Sequence, residues 1–420
     1  MPWCFGGEHN THMRILMLSP YVPWPLNGGP TIRIYHVLRE LVKHGHEVTL
    51  LAGHEGPPLP ASHPLNSLCR EIVTYQPPSS ARIGLPLLSA LRSMASPLPY
   101  VAAKFGSRHI RESIQGAAEK GEFDLIWANF AFMAYAVPPE ICRSLPVVLD
   151  EHESEGLLWR QYWRHGTLAK RAFAMINLIK LPAFQKRIMS QVAAVLSNSE
   201  READFTRRHA PPHVQVWAVP NGVDTEIFAP VHTNGDQKNV ILLCSGLTVF
   251  RNRDAALWFA GSVFPRIRRE VPDAEFWIVG SNPNREIWRL AKVPGIQVTG
   301  TVDDVRPYYA KAKVAVAPYR YGEGTKIKVV EAMACGTPVV STSIGCQGLD
   351  VIGSQHLLIA DNETDFSRRV IELLRDPQRA QALATAARGL TAEKYSWERL
   401  ISHLEPKLQD LVCRKRTQTS

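Results

Sequence analysis

Two glutamates, Glu323 and Glu331, stand eight positions apart around a turn that contains glycine, threonine and lysine. An apolar run from Val314 to Pro318 precedes the turn and predicts a strand, and apolar residues at helical spacing follow it. The free N–H groups and the positive dipole end of a helix beginning here would favour phosphate. Lys326 and Lys328 would add two cations. The pattern predicts a phosphate-binding turn that carries two carboxylates.

The two carboxylates are too far apart in the chain to be an obvious acid–base pair. At about 1.5 Å per residue, Glu331 lies roughly 9 Å along the predicted helix from Thr325, which is far enough to reach past a diphosphate to a ribose. Glu323, before the helix, would face the other end of the ligand. This arrangement suits a nucleotide-sugar. The alternative is a buried helix with a surface glutamate and two solvated lysines.

Size and charge limit the classes of function. A chain of 420 residues with 45% hydrophobic residues is long enough for two ordinary domains. The formal charge of +9, from 48 Lys and Arg against 39 Asp and Glu, favours anionic ligands or an anionic membrane surface. The aromatic and basic pattern typical of nucleic-acid binding is missing, so no nucleic acid is predicted as a partner.

The seven cysteines are dispersed and form no CxxC pair, which predicts reduced thiols in a cytoplasmic protein. No run of roughly 18 apolar residues is present to span a bilayer, and the N-terminus lacks the apolar core of a signal peptide. Contact with the inner face of the cytoplasmic membrane remains compatible with this location. No cofactor is predicted, and the adjacent Asp303 and Asp304 do not form a DxD metal motif, so we predict no obligatory divalent ion.

Strand patterns alternate with helical patterns along the whole chain, which predicts an α/β protein with two doubly wound domains. The predicted strands are Arg14–Ser19, Val48–Ala52, Glu71–Tyr75, Asp124–Ala128, Val147–Asp150, Ala194–Ser197, Val214–Val219, Val240–Ser245, Glu275–Val279, Ile296–Thr299, Val314–Ala317, Val339–Ser341 and Leu357–Ala360.

A polar, turn-rich stretch at 229–238 predicts the domain break. We therefore expect an N-terminal extension at 1–12, a first domain at 13–232, a second domain at 233–396 and a last helix at 397–420 that packs back on the first domain.

A double glycine, Gly28 and Gly29, follows the first strand and precedes a helix. Such a turn lets a ligand approach the backbone at the carboxyl end of a sheet, although a glycine pair also serves tight turns alone. Asn27 and Arg33 could add polar contacts to an acceptor. In the second domain Arg251 and Arg253 lie ahead of a helix, where one of them could reach a diphosphate; solvent exposure of both is the alternative.

His152 follows the strand Val147–Asp150 directly, with Asp150 and Glu153 beside it. A histidine at the carboxyl end of a sheet strand could face an interdomain cleft and hydrogen-bond a substrate. A satisfied structural histidine is the alternative. The stretch 156–191 mixes apolar residues with Lys and Arg, so it could lie on an anionic leaflet or form core helices with a solvated face.

Taken together, the motifs resemble those of GT-B glycosyltransferases of family 4, which are retaining and use nucleotide-sugars. The resemblance rests on NGGPTIR, LDEHE, LSNSEREADF, VPNGVDTEIF, IVGSNP, VTGTVDDVRPYYAKAKVAVAPY and the two glutamates with the AMACGTPVVSTSIGCQGL that follows. It implies two Rossmann-like domains facing a cleft, with the acceptor held mainly by the first and a UDP- or GDP-sugar by the second, and a last helix that crosses back.

The resemblance also implies roles for individual residues. Glu323 would contact the transferred sugar, Glu331 the ribose, and the amides from Thr325 through Ile327 to Lys328 the diphosphate. Gly28 and Gly29 would line the cleft beside the donor phosphate, and His152 matches the family's active-site histidine. Relatives carry an Arg and a Lys after the first strand of the donor domain, whereas this chain has Arg251 and Arg253 and no lysine there. Lys326 or Lys328 could compensate.

The predicted activity is transfer of a sugar, with retention and without a metal ion, to a glycan or lipid-linked acceptor in cell-surface or exported polysaccharide synthesis. Two other functions fit the same patterns. A nucleotide-sugar epimerase of the same architecture would need acid–base residues against the sugar ring. A noncatalytic subunit of a glycan-assembly complex would not need to retain both glutamates and the lysines.

Overall fold

The computed structural model describes residues 12–26, 28–77, 93–94, 96–105, 108–152, 155–230, 238–322 and 324–419. The chain forms two compact units. The first comprises Met1–Pro25, Pro30–Val219 and Ile401–Ser420, and the second comprises Leu26–Gly29 and Pro220–Leu400. The predicted site residues Asn27 and Glu323, together with Glu153 and positions 1–11 of the predicted extension, lie outside the described residues.

The first unit is built on a seven-stranded sheet in the order β3-β2-β1-β4-β5-β6-β7, with every neighbouring pair parallel. Its strands are β1 Arg14–Ser19, β2 Glu47–Gly53, β3 Glu71–Tyr75, β4 Leu125–Asn129, β5 Val147–Asp150, β6 Ala194–Ser197 and β7 Gln215–Ala218. Strands β4, β5 and β6 are buried along their whole length, as expected for a parallel sheet covered by helices on both faces. Its α-helices are α1 Gly29–Lys43, α2 Tyr100–Phe105, α3 Arg108–Lys120, α4 Ala131–Ala136, α5 Pro139–Ser144, α6 Glu155–His165, α7 Leu168–Met189 and α8 Glu200–His209.

The second unit is built on a six-stranded parallel sheet in the order β10-β9-β8-β11-β12-β13. Its strands are β8 Val240–Cys244, β9 Glu275–Val279, β10 Ile296–Gly300, β11 Val314–Ala317, β12 Val339–Ser341 and β13 Leu358–Ile359. Its α-helices are α9 Phe250–Trp258, α10 Phe264–Glu270, α11 Arg285–Leu290, α12 Arg306–Lys311, α13 Ile327–Ala334, α14 Glu363–Arg375 and α15 Pro377–Lys394.

All thirteen predicted strands are present, and none of their ends differs from the prediction by more than one residue. The strand order reverses between β1 and β4 in the first sheet and between β8 and β11 in the second. In open α/β sheets, ligands bind outside the carboxyl ends of the strands at such a reversal. The strand order therefore predicts that a ligand-binding site is formed by the loops after β1, β4, β8 and β11.

The main segment of the second unit begins at Pro220, earlier than the predicted boundary at residue 233. The reason is local: the backbone N–H of Asn221 donates to the Thr325 hydroxyl at 3.0 Å, and Val223 forms a bridge with Ser396. A polar, turn-rich composition marks a loop, but it does not reveal which unit the residues before that loop pack against.

The last helix, α16, spans Trp397–Thr419, and its residues from Ile401 onward belong to the first unit. There the Glu405 carboxylate lies 2.8 Å from His44 Nδ1 and 3.3 Å from His46 Nε2. Arg416 pairs with Asp124 at 2.5 Å. Within the described ranges, every helix is too short or too polar to span a bilayer.

One glycine brings the ends of two strands close together beside the reversal of the second sheet. A Cβ atom at Gly280 would lie 1.7 Å from the carbonyl oxygen of Ser245, which is far inside contact distance. Because the obstacle is backbone, it cannot rotate away. Gly280 therefore has to remain glycine if the loops after β8 and β9 are to keep this geometry.

We expect Gly280→Ala to destabilise the second unit by about 2–4 kcal/mol, since the strand ends must separate to admit the methyl group. Gly389→Ala is the matched control, because Gly389 is exposed within α15 and its added Cβ would meet nothing within 4 Å. That change should stabilise the protein by about 0.5–1 kcal/mol. Chemical denaturation measures the free energy of unfolding of both variants. Equal stability of the two variants would contradict this account.

Candidate active site

The helix that follows β11 begins at Ile327, two residues later than the sequence predicts. Lys326, the residue before it, is extended with φ −93° and ψ 103°. Thr325 is held outside the helix by Asn221, whose backbone N–H donates to the Thr325 hydroxyl at 3.0 Å and whose Nδ2 donates to the Thr325 carbonyl at 3.3 Å. Gly324 adds a left-handed turn with φ 72°. These constraints move the helix start.

The start of α13 presents backbone donors at the carboxyl edge of the second sheet. The N–H of Val329 already bonds to the Lys326 carbonyl at 2.9 Å, so the amides of Ile327 and Lys328 precede the first bond within the helix. Among the described residues, no side chain caps this end. Gly29 lies alongside, since a Cβ atom there would be 3.6 Å from Ile327 Cδ1. Uncapped amides at a helix start are suited to an anion.

Lys328 and Glu331 form an ion pair. Lys328 Nζ donates to both carboxylate oxygens of Glu331, at 3.0 and 2.8 Å, and Glu331 is 2% exposed. The Tyr309 hydroxyl lies 3.4 Å from Glu331 Oε2. Burial alone would lower the pKa of Lys328, but the Glu331 carboxylate outweighs it and raises that pKa above its usual value. Lys328 therefore stays charged and keeps the buried carboxylate neutralised.

Two other cations lie beside Gly322, in the loop before α13. A Cβ atom at Gly322, where φ is 111°, would be 2.9 Å from Arg251 Cδ and 3.7 Å from Lys326 Nζ. The ammonium of Lys326 also donates to the Gly324 carbonyl at 2.7 Å. The first turn of α9, which follows β8, and the loop after β11 thus bring Arg251 and Lys326 to one place, at the reversal of strand order.

Arg253 has a different environment. Like Arg251, it lies in the first turn of α9, which begins at Phe250, so the prediction that both arginines lie ahead of the helix is wrong. Its Nη1 donates to the carbonyl oxygens of Leu247, at 3.2 Å, and of Thr248. Its guanidinium therefore stabilises the loop between β8 and α9.

In the first unit, Arg33 is 1% exposed and makes a bidentate pair with Asp150 at the end of β5, with N–O distances of 2.8 to 3.0 Å. A further donor of Arg33 reaches the Val219 carbonyl at 3.0 Å. A buried carboxylate requires such a partner. This placement favours a structural role for Arg33 over direct contact with an acceptor.

His152 follows Asp150, and its side chain is 2% exposed. Its Nε2 lies 2.9 Å from Asn129 Oδ1 and 3.7 Å from Asp150 Oδ2. Burial lowers the pKa of His152 to about 4; Asp150 opposes that shift and Arg33 adds to it. The imidazole is therefore neutral at neutral pH, which suits hydrogen bonding to a substrate and not electrostatic binding of a phosphate.

Phe130 supports the imidazole from one side, with ring centroids 4.4 Å apart and planes at 19°. Its backbone is left-handed, with φ 75°, a conformation that a bulky residue rarely adopts. Such strain is concentrated at functional sites. Next to His152, in the loop after β5, burial together with Glu202 and Asp150 raises the pKa of Glu151 to about 7. Titration near neutral pH is a further mark of a functional region.

Sequence reasoning missed Asn129, Phe130, Tyr309 and the tie from Asn221 to Thr325. The Asn-Gly turn at 221–222 is visible in the sequence, but its partner lies more than a hundred positions away. Asn129 ends β4, at the switch point, so strand order could have identified it. Tyr309 gives no local signal. Within the part of the chain described here, no three His, Cys, Asp or Glu side chains are grouped to hold a metal ion.

Comparison with known proteins covers both units. Residues 27–227 match the family model described as Glycosyltransferase Family 4, and residues 238–376 match the one described as Glycosyl transferases group 1. An MMP alpha-(1->4)-mannosyltransferase from Mycolicibacterium hassiacum is 26% identical over 435 residues, covering 96% of this chain and 99% of the relative.

Solved structures share the fold. Sucrose-phosphate synthase from Thermosynechococcus elongatus superposes with a TM-score of 0.72 at 19% sequence identity. The match covers 96% of this chain and 100% of the synthase chain. Anabaena HepE in complex with UDP and glucose gives a TM-score of 0.66 at 16% sequence identity, and the match covers 95% of this chain and 100% of the HepE chain. The two Rossmann-like units thus have the architecture of GT-B glycosyltransferases. The chain belongs to family 4 of the glycosyltransferases.

Proposed function

We propose that this glycosyltransferase moves a hexose from a UDP- or GDP-sugar to a glycan or lipid-linked acceptor, with retention of the anomeric configuration and without a metal ion. The acceptor would belong to the synthesis of a cell-surface or exported polysaccharide. The second unit would bind the donor, and His152 would hydrogen-bond a hydroxyl of the substrate.

The observation that carries this proposal is the start of α13. Amides of Ile327 and Lys328 lie at the helix end next to Lys326, and Arg251 approaches the same loop at Gly322. A diphosphate is the group that this combination of backbone donors and cations would bind best. HepE, which shares the fold, was solved with UDP and glucose. This supports a nucleotide-sugar as the donor class.

The arrangement also supports a division of roles among the cations. Lys328 is engaged by Glu331, and Arg253 by the carbonyls of Leu247 and Thr248. Lys326 Nζ and Arg251 Cδ both lie beside Gly322, close to the start of α13, and we assign the diphosphate to these two residues because of that position. An ionised carboxylate accepts up to about four hydrogen bonds, so Glu331 can keep Lys328 and still accept from a ribose hydroxyl. Glu323, outside the described residues, would contact the transferred sugar.

In the proposed reaction, an acceptor hydroxyl oxygen bonds to the anomeric carbon while the bond from that carbon to the diphosphate breaks on the same face. The acceptor proton passes to the departing phosphate. The protein's contribution is electrostatic: the α13 amides, Lys326 and Arg251 stabilise the charge that develops on the leaving group. No residue of the chain needs to form a covalent intermediate with the sugar.

Incubation with UDP- and GDP-hexoses, with and without candidate acceptors, tests the proposed function. Transfer should require an acceptor, and the anomeric signal of the product in NMR should match that of the donor. A changed sugar without acceptor would indicate an epimerase instead. No binding of any donor would favour a noncatalytic subunit, and an inverted product would contradict retention.

We expect Lys326→Ala to lower kcat about 10²–10³-fold, because a cation that stabilises the leaving group is lost. Arg251→Ala should also weaken donor binding, seen as a smaller rise in melting temperature with the donor present. Arg388→Ala, at an exposed position on α15, is the charge-matched control. Activity of Lys326→Ala equal to that of the control would contradict this assignment.

One surface of the first unit supports peripheral contact with an anionic membrane. Leu168, Met175 and Ile179 occupy one face of α7 by their spacing, and they are 84%, 40% and 72% exposed. Two exposed cations lie at this face by the same spacing, namely Arg171 and Lys186. An exposed apolar helix face between cations suits the boundary of an anionic bilayer. A lipid-linked acceptor would be reached there.

We expect Ile179→Glu to weaken binding to vesicles that contain phosphatidylglycerol about tenfold, since an apolar contact is replaced by a repelled charge. Phe205→Glu is the matched control, because Phe205 is 62% exposed on α8 among acidic and basic residues. Cosedimentation measures binding, and vesicles of phosphatidylcholine alone should bind neither variant. Equal binding of Ile179→Glu and wild type would contradict the proposed contact.

A further inference from the structure

Asn129, the last residue of β4, is completely buried and has a partner at each end of its amide. Its Nδ2 donates to the Leu18 carbonyl of the neighbouring strand at 2.9 Å. Its Oδ1 lies 2.9 Å from His152 Nε2. The side chain therefore connects the two strands at the switch point of the first sheet to the imidazole.

The chemistry of these partners fixes the proton on the imidazole. A carbonyl oxygen only accepts, so the Leu18 carbonyl requires the NH₂ end of the amide to face it. The oxygen end must then face His152, and it too only accepts. Nε2 consequently carries the hydrogen, and in the neutral ring Nδ1 carries a lone pair.

The charged groups around the ring agree with this assignment. Asp150 Oδ2, at 3.7 Å, also faces Nε2 and is an acceptor. Arg33, bonded in a bidentate manner to Asp150, neutralises most of its charge. Burial lowers the pKa of His152 to about 4, so the ring is neutral and the question of its tautomer is meaningful.

The orientation of the ring is fixed independently of its proton. Phe130 stacks on one face with ring centroids 4.4 Å apart. Asn198 Nδ2 donates to the His152 backbone carbonyl at 2.6 Å. With the plane held by Phe130 and the backbone by Asn198, the remaining freedom is which nitrogen is protonated, and Asn129 decides it.

We propose that Asn129 is a positioning residue that holds His152 as the Nε2–H tautomer, so that Nδ1 keeps a lone pair that can accept from a substrate hydroxyl. The assignment of the tautomer stands on the structure alone. The contact of Nδ1 with a hydroxyl rests on the proposed function. A purely structural role, in which Asn129 only ties β4 to β1, is the competing explanation.

NMR of the protein labelled with ¹⁵N-histidine tests the tautomer without any substrate. The His152 signals are those that disappear in His152→Ala. At neutral pH we expect Nε2 to have the shift of a protonated ring nitrogen and Nδ1 that of an unprotonated one. In Asn198→Ala, which alters only the backbone anchor, the same tautomer should persist. A proton on Nδ1 in the wild type would overturn the proposal.

A double-mutant cycle tests what Asn129 does in the reaction. Asn129→Ala should lower kcat about tenfold with little change in KM for the donor. In a His152→Ala background the same substitution should have almost no further effect on kcat, because its effect passes through the imidazole. A similar loss in both backgrounds would show a structural role and overturn the proposal. If Asn129→Ala does not fold, the NMR measurement on the wild type still decides the tautomer.

The two tests also separate this inference from the proposed function. If His152 is the Nε2–H tautomer but the protein transfers no sugar, the positioning by Asn129 stands and the substrate assignment fails. If transfer occurs with the opposite tautomer, the proposed function stands and the role of Asn129 is wrong.

Discussion

The buried ion pair between Lys328 and Glu331 is the interaction on which the candidate donor site depends. A carboxylate that is 2% exposed is tolerated only because Lys328 Nζ lies within 3.0 Å of both of its oxygens. The same pairing commits Lys328 to Glu331, whereas Lys326 and Arg251 lie beside Gly322 in front of the helix. The pair thus holds the carboxylate inside α13.

The first unit repeats this solution at the equivalent edge of its own sheet. Asp150, at the end of β5, is buried and is paired with the buried Arg33. Removing one partner of such a pair typically costs about 3–5 kcal/mol, because an uncompensated charge is left in the interior. Each unit therefore has a buried ion pair near the carboxyl end of its sheet. Asp150 lies 3.7 Å from His152 in the first unit, and Lys328 and Glu331 lie in the first turns of α13 in the second.

The architecture could be predicted from the sequence because a parallel strand that is buried on both faces consists of a run of apolar residues, as Val147–Asp150 largely does. Such a run is recognisable without knowledge of the residues that pack against it. The sequence also located Lys326, Lys328 and Glu331 on one turn and helix. The sequence did not reveal the hydrogen-bonding partners that are distant in the chain. The helix start moved from Thr325 to Ile327 because a distant residue, Asn221, holds Thr325 outside the helix.

Arginines show the same limit most clearly. Arg33, Arg251 and Arg253 have the same side chain, so the sequence alone does not distinguish their roles. In the structure Arg33 is paired with the buried Asp150, Arg251 lies beside Gly322, and Arg253 donates to carbonyl oxygens of its own loop. Their roles are set by contacts that no spacing encodes. Asn129 is similar, since its effect on His152 becomes visible only when Leu18 is seen at the other end of its amide.

A crystal structure with UDP or GDP bound is the most direct test of the central claim, namely that a diphosphate rests at the start of α13. The account predicts phosphate oxygens within hydrogen-bonding distance of Lys326 Nζ and of the amide N–H groups of Ile327 and Lys328, with the Lys328–Glu331 pair intact. A nucleotide bound with its phosphates away from this helix start would contradict it.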